Sequence, residues 1–169
     1  INWLKFHSDQ SVWAHLADKY RVRTYVSSKG YGDTLVRLYG VWDNPYEIDW
    51  ESLPDRFILK MNNGSGDAMI CRSKAPFDKE YASDRLAESF RHRFGIMTAE
   101  PHYLKIDPFV IAEELLDASK QSVGTDSLID YKIWCLNGVP ECIFVIANRT
   151  NESMEIMVYD LQWQPHPEY

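Results

Sequence analysis

Lys60 stands at the end of the apolar run Phe57-Ile58-Leu59, two residues before the turn-rich stretch Asn62-Asn63-Gly64-Ser65-Gly66. Glycines let a backbone come close to a ligand and turn its amides towards an anion, and a nearby lysine adds a point charge for phosphate. The order is not that of the Walker pattern, in which the lysine follows the glycines and opens a helix. It describes a loop between strands that folds down over phosphates, or a plain hairpin turn beside an exposed lysine. The residues alone leave both readings open.

Two further groups carry chemical potential. Glu113-Glu114-Leu115-Leu116 follows the apolar run Phe109-Val110-Ile111-Ala112. Adjacent acids at the exit of a buried strand are costly unless solvated or bonded. Such a segment either presents its backbone to a purine edge under leucine cover or runs out to a solvated sheet edge. In Asp130-Tyr131-Lys132 the acid and the ammonium fall on one face of a strand, because side chains alternate with period two. They read as a surface ion pair of little worth or as a ribose acceptor beside a phosphate clamp. The five histidines are scattered without metal-ligand spacing, with His92 expected on a solvated helix face, and no GxSxG, HExxH or Cys/His dyad is present.

The elements that must position these groups follow from periodicity. Ser11–Tyr20 carries apolar residues at helical spacing, with Asp9 and Ser11 as candidate N-caps. A second helical stretch through Val22, Tyr25 and Val26 stops at Gly30. Leu35–Trp42 reads as extended, and Asn44-Pro45 as a turn. Phe57–Met61 and Ala68–Cys71 form a hairpin with a long mobile tip. Asp78–Phe94 is the clearest helix, with Tyr81, Leu86, Phe90 and Phe94 near one face and Gly95 as its stop. Tyr131–Leu136, Glu141–Ala147 and Met154–Leu161 are three successive strands; Asn137-Gly138 signals a hairpin, which Pro140 is expected to loosen. The outcome is a mixed α+β chain with mostly antiparallel strands.

The chain has 169 residues, 45% hydrophobic and 25% charged, with a net charge of −7. One domain with a real core is expected, and disordered, collagen-like or coiled-coil classes are excluded. So acidic a chain lacks the basic field that phosphate-backbone binding needs, which argues against nucleic acid. No apolar stretch is long enough to span a membrane. Three cysteines cannot all pair within the chain, and they read as buried thiols of a reducing cytoplasm. Six tryptophans and ten tyrosines fall at core-like spacings. The chain opens on Ile1 without a methionine and ends in loop-like sequence, as a fragment would.

In order along the chain, the segments LADKYRVRTYV (16–26), YGVWDNPYEIDWESLPDRFILKMNNGSGD (39–67), AEPHYLKIDPFVIAEELL (99–116) and DYKIWCLNGVPECIFV (130–145) resemble the TupA-like branch of the ATP-grasp superfamily. The resemblance implies an α+β ATP-grasp-like fold of antiparallel sheets with flanking helices, in an incomplete domain. Its parts would be a helical lead-in (1–55), a small lobe with a phosphate flap (56–108) and the start of a larger nucleotide-binding lobe (109–169). It further implies that Lys60 holds nucleotide phosphates, that Asn62, Asn63, Gly64, Ser65 and Gly66 form the flap, and that Lys19 is an earlier phosphate contact. Glu113, Glu114, Leu115 and Leu116 would form the hinge at adenine, Asp130 the ribose acid, and Lys132 a phosphate-facing lysine, with Lys60 and Lys132 catalytic. The implied activity is an ATP-dependent carboxylate–amine ligase of bacterial cell-surface polysaccharide biosynthesis, using ATP and magnesium in the cytoplasm on a saccharide-linked substrate. The family's magnesium-binding acids have no counterpart between Asp160 and Tyr169, so no metal ligand is assigned. A non-catalytic nucleotide- or sugar-binding module and a glycosyltransferase of such a locus stay open.

Overall fold

A computed structural model describes residues 2–92, 94–125, 127–150 and 152–169. The chain divides into two compact units, one running through Leu115 and the other from Leu116 to Tyr169.

The first unit is built on a four-stranded sheet of order β1-β4-β2-β3, with β1 Leu38–Trp42, β2 Phe57–Met61, β3 Met69–Cys71 and β4 Val110–Glu114. All its pairings are antiparallel. β2 alternates as its sequence dictates. Phe57, Leu59 and Met61 are buried in the core with Cys71, Val110, Ala112 and Leu86, while Ile58 and Lys60 turn to the opposite face. β4 lies between β1 and β2 and is apolar throughout Val110-Ile111-Ala112, all fully buried, as a strand covered on both faces must be.

Among the described residues four α-helices accompany this sheet: α1 Asn2–His7, α2 Ser11–Ala17, α3 Val22–Ser28 and α4 Lys79–Arg91. α4 starts where Asp78 accepts the amide N–H of Tyr81 at 2.9 Å. It inserts Leu86 into the core, with Phe90 packed against it. It ends at Arg91 rather than running to Phe94, because His92 takes an extended ψ of 118°. Tyr81, expected inward, is 56% exposed. α2 is likewise shorter than its periodicity implies. It stops at Ala17 because Asp18 is extended, and its N-cap is Gln10 without a side-chain bond; Asp9 instead accepts the N–H of Ser11 at 2.9 Å. Beyond α3, Gly30 has φ +86°, the left-handed residue that closes a helix.

The second unit is a three-stranded antiparallel sheet of order β5-β6-β7: Asp130–Leu136, Val139–Ala147 and Glu155–Tyr159. Asn137 and Gly138 have φ +52° and +82°, and Leu136 pairs directly with Val139. This is a tight two-residue turn with both central residues left-handed. The loosening expected from Pro140 is absent from the turn. Pro140 pairs with Cys135, and the irregularity is a register shift between Trp134 and Cys135. The segment after β7 folds back, with Tyr159 bridging Pro165 and the N–H of His166 donating to the Val158 carbonyl at 2.8 Å.

Two expectations about apolar residues change. Only Cys71 of the three thiols is buried, whereas Cys142 is half-buried and Cys135 is exposed on the edge strand β5. Trp3, Trp134 and Trp163 are each more than half exposed rather than part of a core. Among the described residues no helix is long and apolar enough to cross a membrane.

Candidate functional site

The sheet face opposite the hydrophobic core gathers charge. Lys60 on β2 and Glu113 on β4 lie on this face, and their register pairs Ile58 with Glu113 and Lys60 with Ile111. Lys60 Nζ reaches Glu113 Oε2 at 2.5 Å, while Arg23 Nη1 of α3 meets the other oxygen at 3.3 Å. The Glu113 side chain is 6% exposed and that of Lys60 is 24% exposed. A lone carboxylate so deep would be strongly unfavourable, and two cations, one on each oxygen, make its burial possible. The triad carries a net positive charge. Arg23 is fixed in turn by donating from Nη2 to the Val36 carbonyl at 2.6 Å.

Lys19 lies in the turn between α2 and α3 and approaches the loop from the side. Its backbone N–H donates to the Asn62 carbonyl at 3.0 Å. Its ammonium donates to the Met61 carbonyl at 3.1 Å and to the Gly64 carbonyl. Burial pushes the pKa of this lysine down, and the nearby Asp67 carboxylate acts against that. Asp67 closes the root of the loop by accepting the Met61 N–H at 3.2 Å.

Asn62 is a different kind of residue from its neighbours. It is fully buried, donates from Nδ2 to Asp18 Oδ1 and to the Asp107 carbonyl, both at 3.0 Å, and accepts the Phe109 N–H at 2.7 Å. Asp18 Oδ1 also accepts the N–H groups of Tyr20 and Arg21 at 2.9 and 3.1 Å. The first residue of the expected flap is thus a node joining the Lys19 turn, the end of β2 and the start of β4. Asn63 is half-buried, and Gly64 is buried where a Cβ would stand 3.4 Å from the Phe94 ring. Ser65 and Gly66 are exposed, with Gly66 at φ +90° in open space. On the core side of the loop, a cavity of about 280 Å³ is lined by Asn63, Gly64, Ser65 and Asp67 with Arg85 and Ser89 of α4.

The acidic segment resolves its two carboxylates differently, since Glu113 is buried and paired whereas Glu114 is exposed. The Glu113 backbone runs between Leu38 and Ile58, and the Glu114 N–H donates to the Arg37 carbonyl at 2.9 Å. Leu115, half-buried, closes the first unit and the exposed Leu116 opens the second; both follow the last registered pair, Phe57 with Glu114.

In the second unit Asp130 and Lys132 share a face of β5, as alternation requires. Asp130 Oδ2 meets Lys132 Nζ at 3.2 Å and Arg149 Nη2 at 3.3 Å. These side chains are 40–50% exposed, where such pairs contribute little to stability.

With this geometry in hand, the sequence comparison is decisive. A family model described as TupA-like ATPgrasp matches residues 1–168. The chain belongs to the TupA-like ATP-grasp family. No curated protein and no solved structure matches it. The α+β architecture of antiparallel sheets is that of an ATP-grasp-like domain, and membership supports an ATP-grasp type of function.

ATP-grasp proteins generally bind ATP and magnesium. The donor set around the loop, with Lys19, Arg23 and Lys60 beside the loop glycines, fits a polyphosphate. Among the described residues no three His, Cys, Asp or Glu side chains come together; magnesium, which is held by one or two carboxylates with waters and substrate phosphates, does not require such a cluster. Residue types alone did not single out Arg23, Asp18 or Asp67. Asp18 had a signal in the Asp-Lys pair at 18–19. Arg23 had none, because its partner Glu113 lies 90 residues away.

Proposed function

We propose that this chain carries the ATP-binding part of a carboxylate–amine ligase that works on cell-surface saccharide material in the cytoplasm of a bacterium. The observation that carries the reading is the Lys60–Glu113–Arg23 cluster, on a sheet face next to a glycine loop that Lys19 holds by its carbonyls. A triphosphate offers oxygens for which Lys60 can exchange Glu113. Glu113 keeps Arg23 in that exchange and is not left unpaired. Loop amides from Asn63 to Gly66 supply neutral donors. In this reading Leu115 and Leu116 offer backbone to the base, Glu113 and Glu114 frame the segment, Asp130 accepts from ribose, and Lys132 neutralises phosphate.

The chemistry is positioning plus charge neutralisation. A substrate carboxylate oxygen attacks the γ-phosphorus and ADP departs. An amine then displaces phosphate from the acyl carbon and gives an amide. Lys60 on the first unit and Lys132 on the second supply the positive charge that this reading calls for.

The test is thermal unfolding with and without ATP. A ligand that binds only the folded state at 100 times its Kd adds about 2.7 kcal/mol. A Lys60→Ala variant should lose the ATP shift. An unchanged shift in Lys60→Ala, together with ADP formation at the parent rate, would refute the assignment.

A further inference from the structure

The second unit contains a cavity of about 430 Å³, within the range of about 300–1,000 Å³ common to small-molecule sites. Aromatic rings form much of its wall. Trp134 stacks on Phe144 with centroids 5.0 Å apart and planes at 23°, and Tyr169 is a further aromatic residue of the lining. Trp134 remains 53% exposed. The charged groups at its margin are Glu141, Asp160 and His166, and among the described residues no lysine or arginine lines it.

Of the two acids, Asp160 is fixed by the backbone and faces His166, whereas Glu141 is free to meet a ligand. Asp160 Oδ1 accepts the N–H groups of Gln162 and Gln164, each at 2.9 Å, and these bonds hold its carboxyl below the usual carboxylate range. Its second oxygen stands 3.7 Å from His166 Nε2, and His166 Nδ1 lies 2.9 Å from Glu168. The Glu141 side chain is exposed and forms no ion pair or hydrogen bond among the described residues. Ring faces carry negative potential and attract ammonium groups, most strongly where carboxylates add to it.

We propose that this cavity binds an organic ammonium, with Trp134 as platform and Glu141 and Asp160 as counter-charges. Its place in the sheet gives that ligand a role. Lys132 shares the Trp134 face of β5, two residues or roughly 6.6 Å along the strand. An ammonium here is the resting form of the amine that a carboxylate–amine ligase consumes. That role rests on the ligase reading, whereas the recognition of a cation does not.

The experiment titrates the chain with n-butylammonium chloride, and in parallel with n-butanol and with sodium chloride, following the indole N–H resonances in ¹⁵N spectra. Trp134 is assigned through a Trp134→Phe variant. The expected result is a saturating shift of Trp134 with butylammonium and none with butanol or salt, weakened at least tenfold in Glu141→Gln/Asp160→Asn. Because Glu141 has no partner to lose, Glu141→Gln alone serves should the double variant misfold, and it should weaken binding several-fold. An equal response to butanol, no response, or unchanged binding in the variants overturns the proposal. Butylammonium binding by a protein that forms no ADP would leave the cation site standing and remove the ligase reading; ADP formation without butylammonium binding would do the reverse.

Discussion

The side-chain amide of Asn62 donates to Oδ1 of Asp18 at 3.0 Å across a separation of 44 residues, and both residues are buried. This bond ties the turn that carries Lys19 to the strand end that carries Lys60. Replacing Asn62 by Ala leaves Asp18 Oδ1 and the Phe109 N–H short of a partner. The expected loss is about 3 kcal/mol, measured by urea denaturation. A loss under 1 kcal/mol would contradict this role for Asn62.

Lys60 has a structural and a functional part that can be separated. Lys60→Met removes one of two cations from buried Glu113 and should cost about 2 kcal/mol, less than a fully orphaned buried charge because Arg23 remains. Adding Glu113→Gln should restore most of that stability without restoring the ATP-induced thermal shift. A double-mutant cycle gives the coupling. Recovery of the ATP response in the double variant would assign Lys60 to the fold alone.

The loop glycines should differ. Gly66 is left-handed at φ +90°, so Gly66→Ala is expected to cost about 1 kcal/mol or to displace the loop. Gly64 has an ordinary φ and room for a methyl group against Phe94, so Gly64→Ala should be near neutral. Chemical denaturation of the two variants side by side checks the order.

His102 predicts a dependence on acid. Its Nδ1 is buried without a hydrogen-bond partner among the described residues, and its ring lies 4.4 Å from that of Tyr103 and 6.0 Å from that of Trp13. Burial pushes its pKa below 6.5. The unfolded chain therefore binds the proton more readily than the folded one. The contribution of this histidine is complete above about pH 6.5 and declines as pH falls below that value towards the folded pKa. His102→Phe should flatten this part of the stability–pH curve, and an identical curve would exclude His102 as its source.

Much of the frame was legible because local patterns decide it. The apolar run Phe57-Ile58-Leu59 marked a strand ending at Lys60, and Asn137-Gly138 specified its own turn. The same logic failed where distant parts set the result. Asp18 stops α2 because its carboxylate serves the following turn and Asn62, and no local period encodes that. Lys60 and Glu113 were each singled out, but their contact, and the entry of Arg23 between Glu113 and Val36, depend on pairings fixed by the sheet. Trp134 looked like a core residue because spacing reports which face a side chain takes and not whether anything covers that face.

The three thiols amount to an internal set of chemical reporters. Cys71 is sealed in the sheet, and burial pushes its thiol pKa up; Cys142 forms part of the aromatic cavity wall; Cys135 stands open on the edge strand. Since alkylation requires an accessible thiolate, a maleimide should label Cys135 first, Cys142 more slowly and Cys71 only on unfolding. A single mass spectrum taken over time would then read surface, cavity and core as three separate clocks in one unmodified chain.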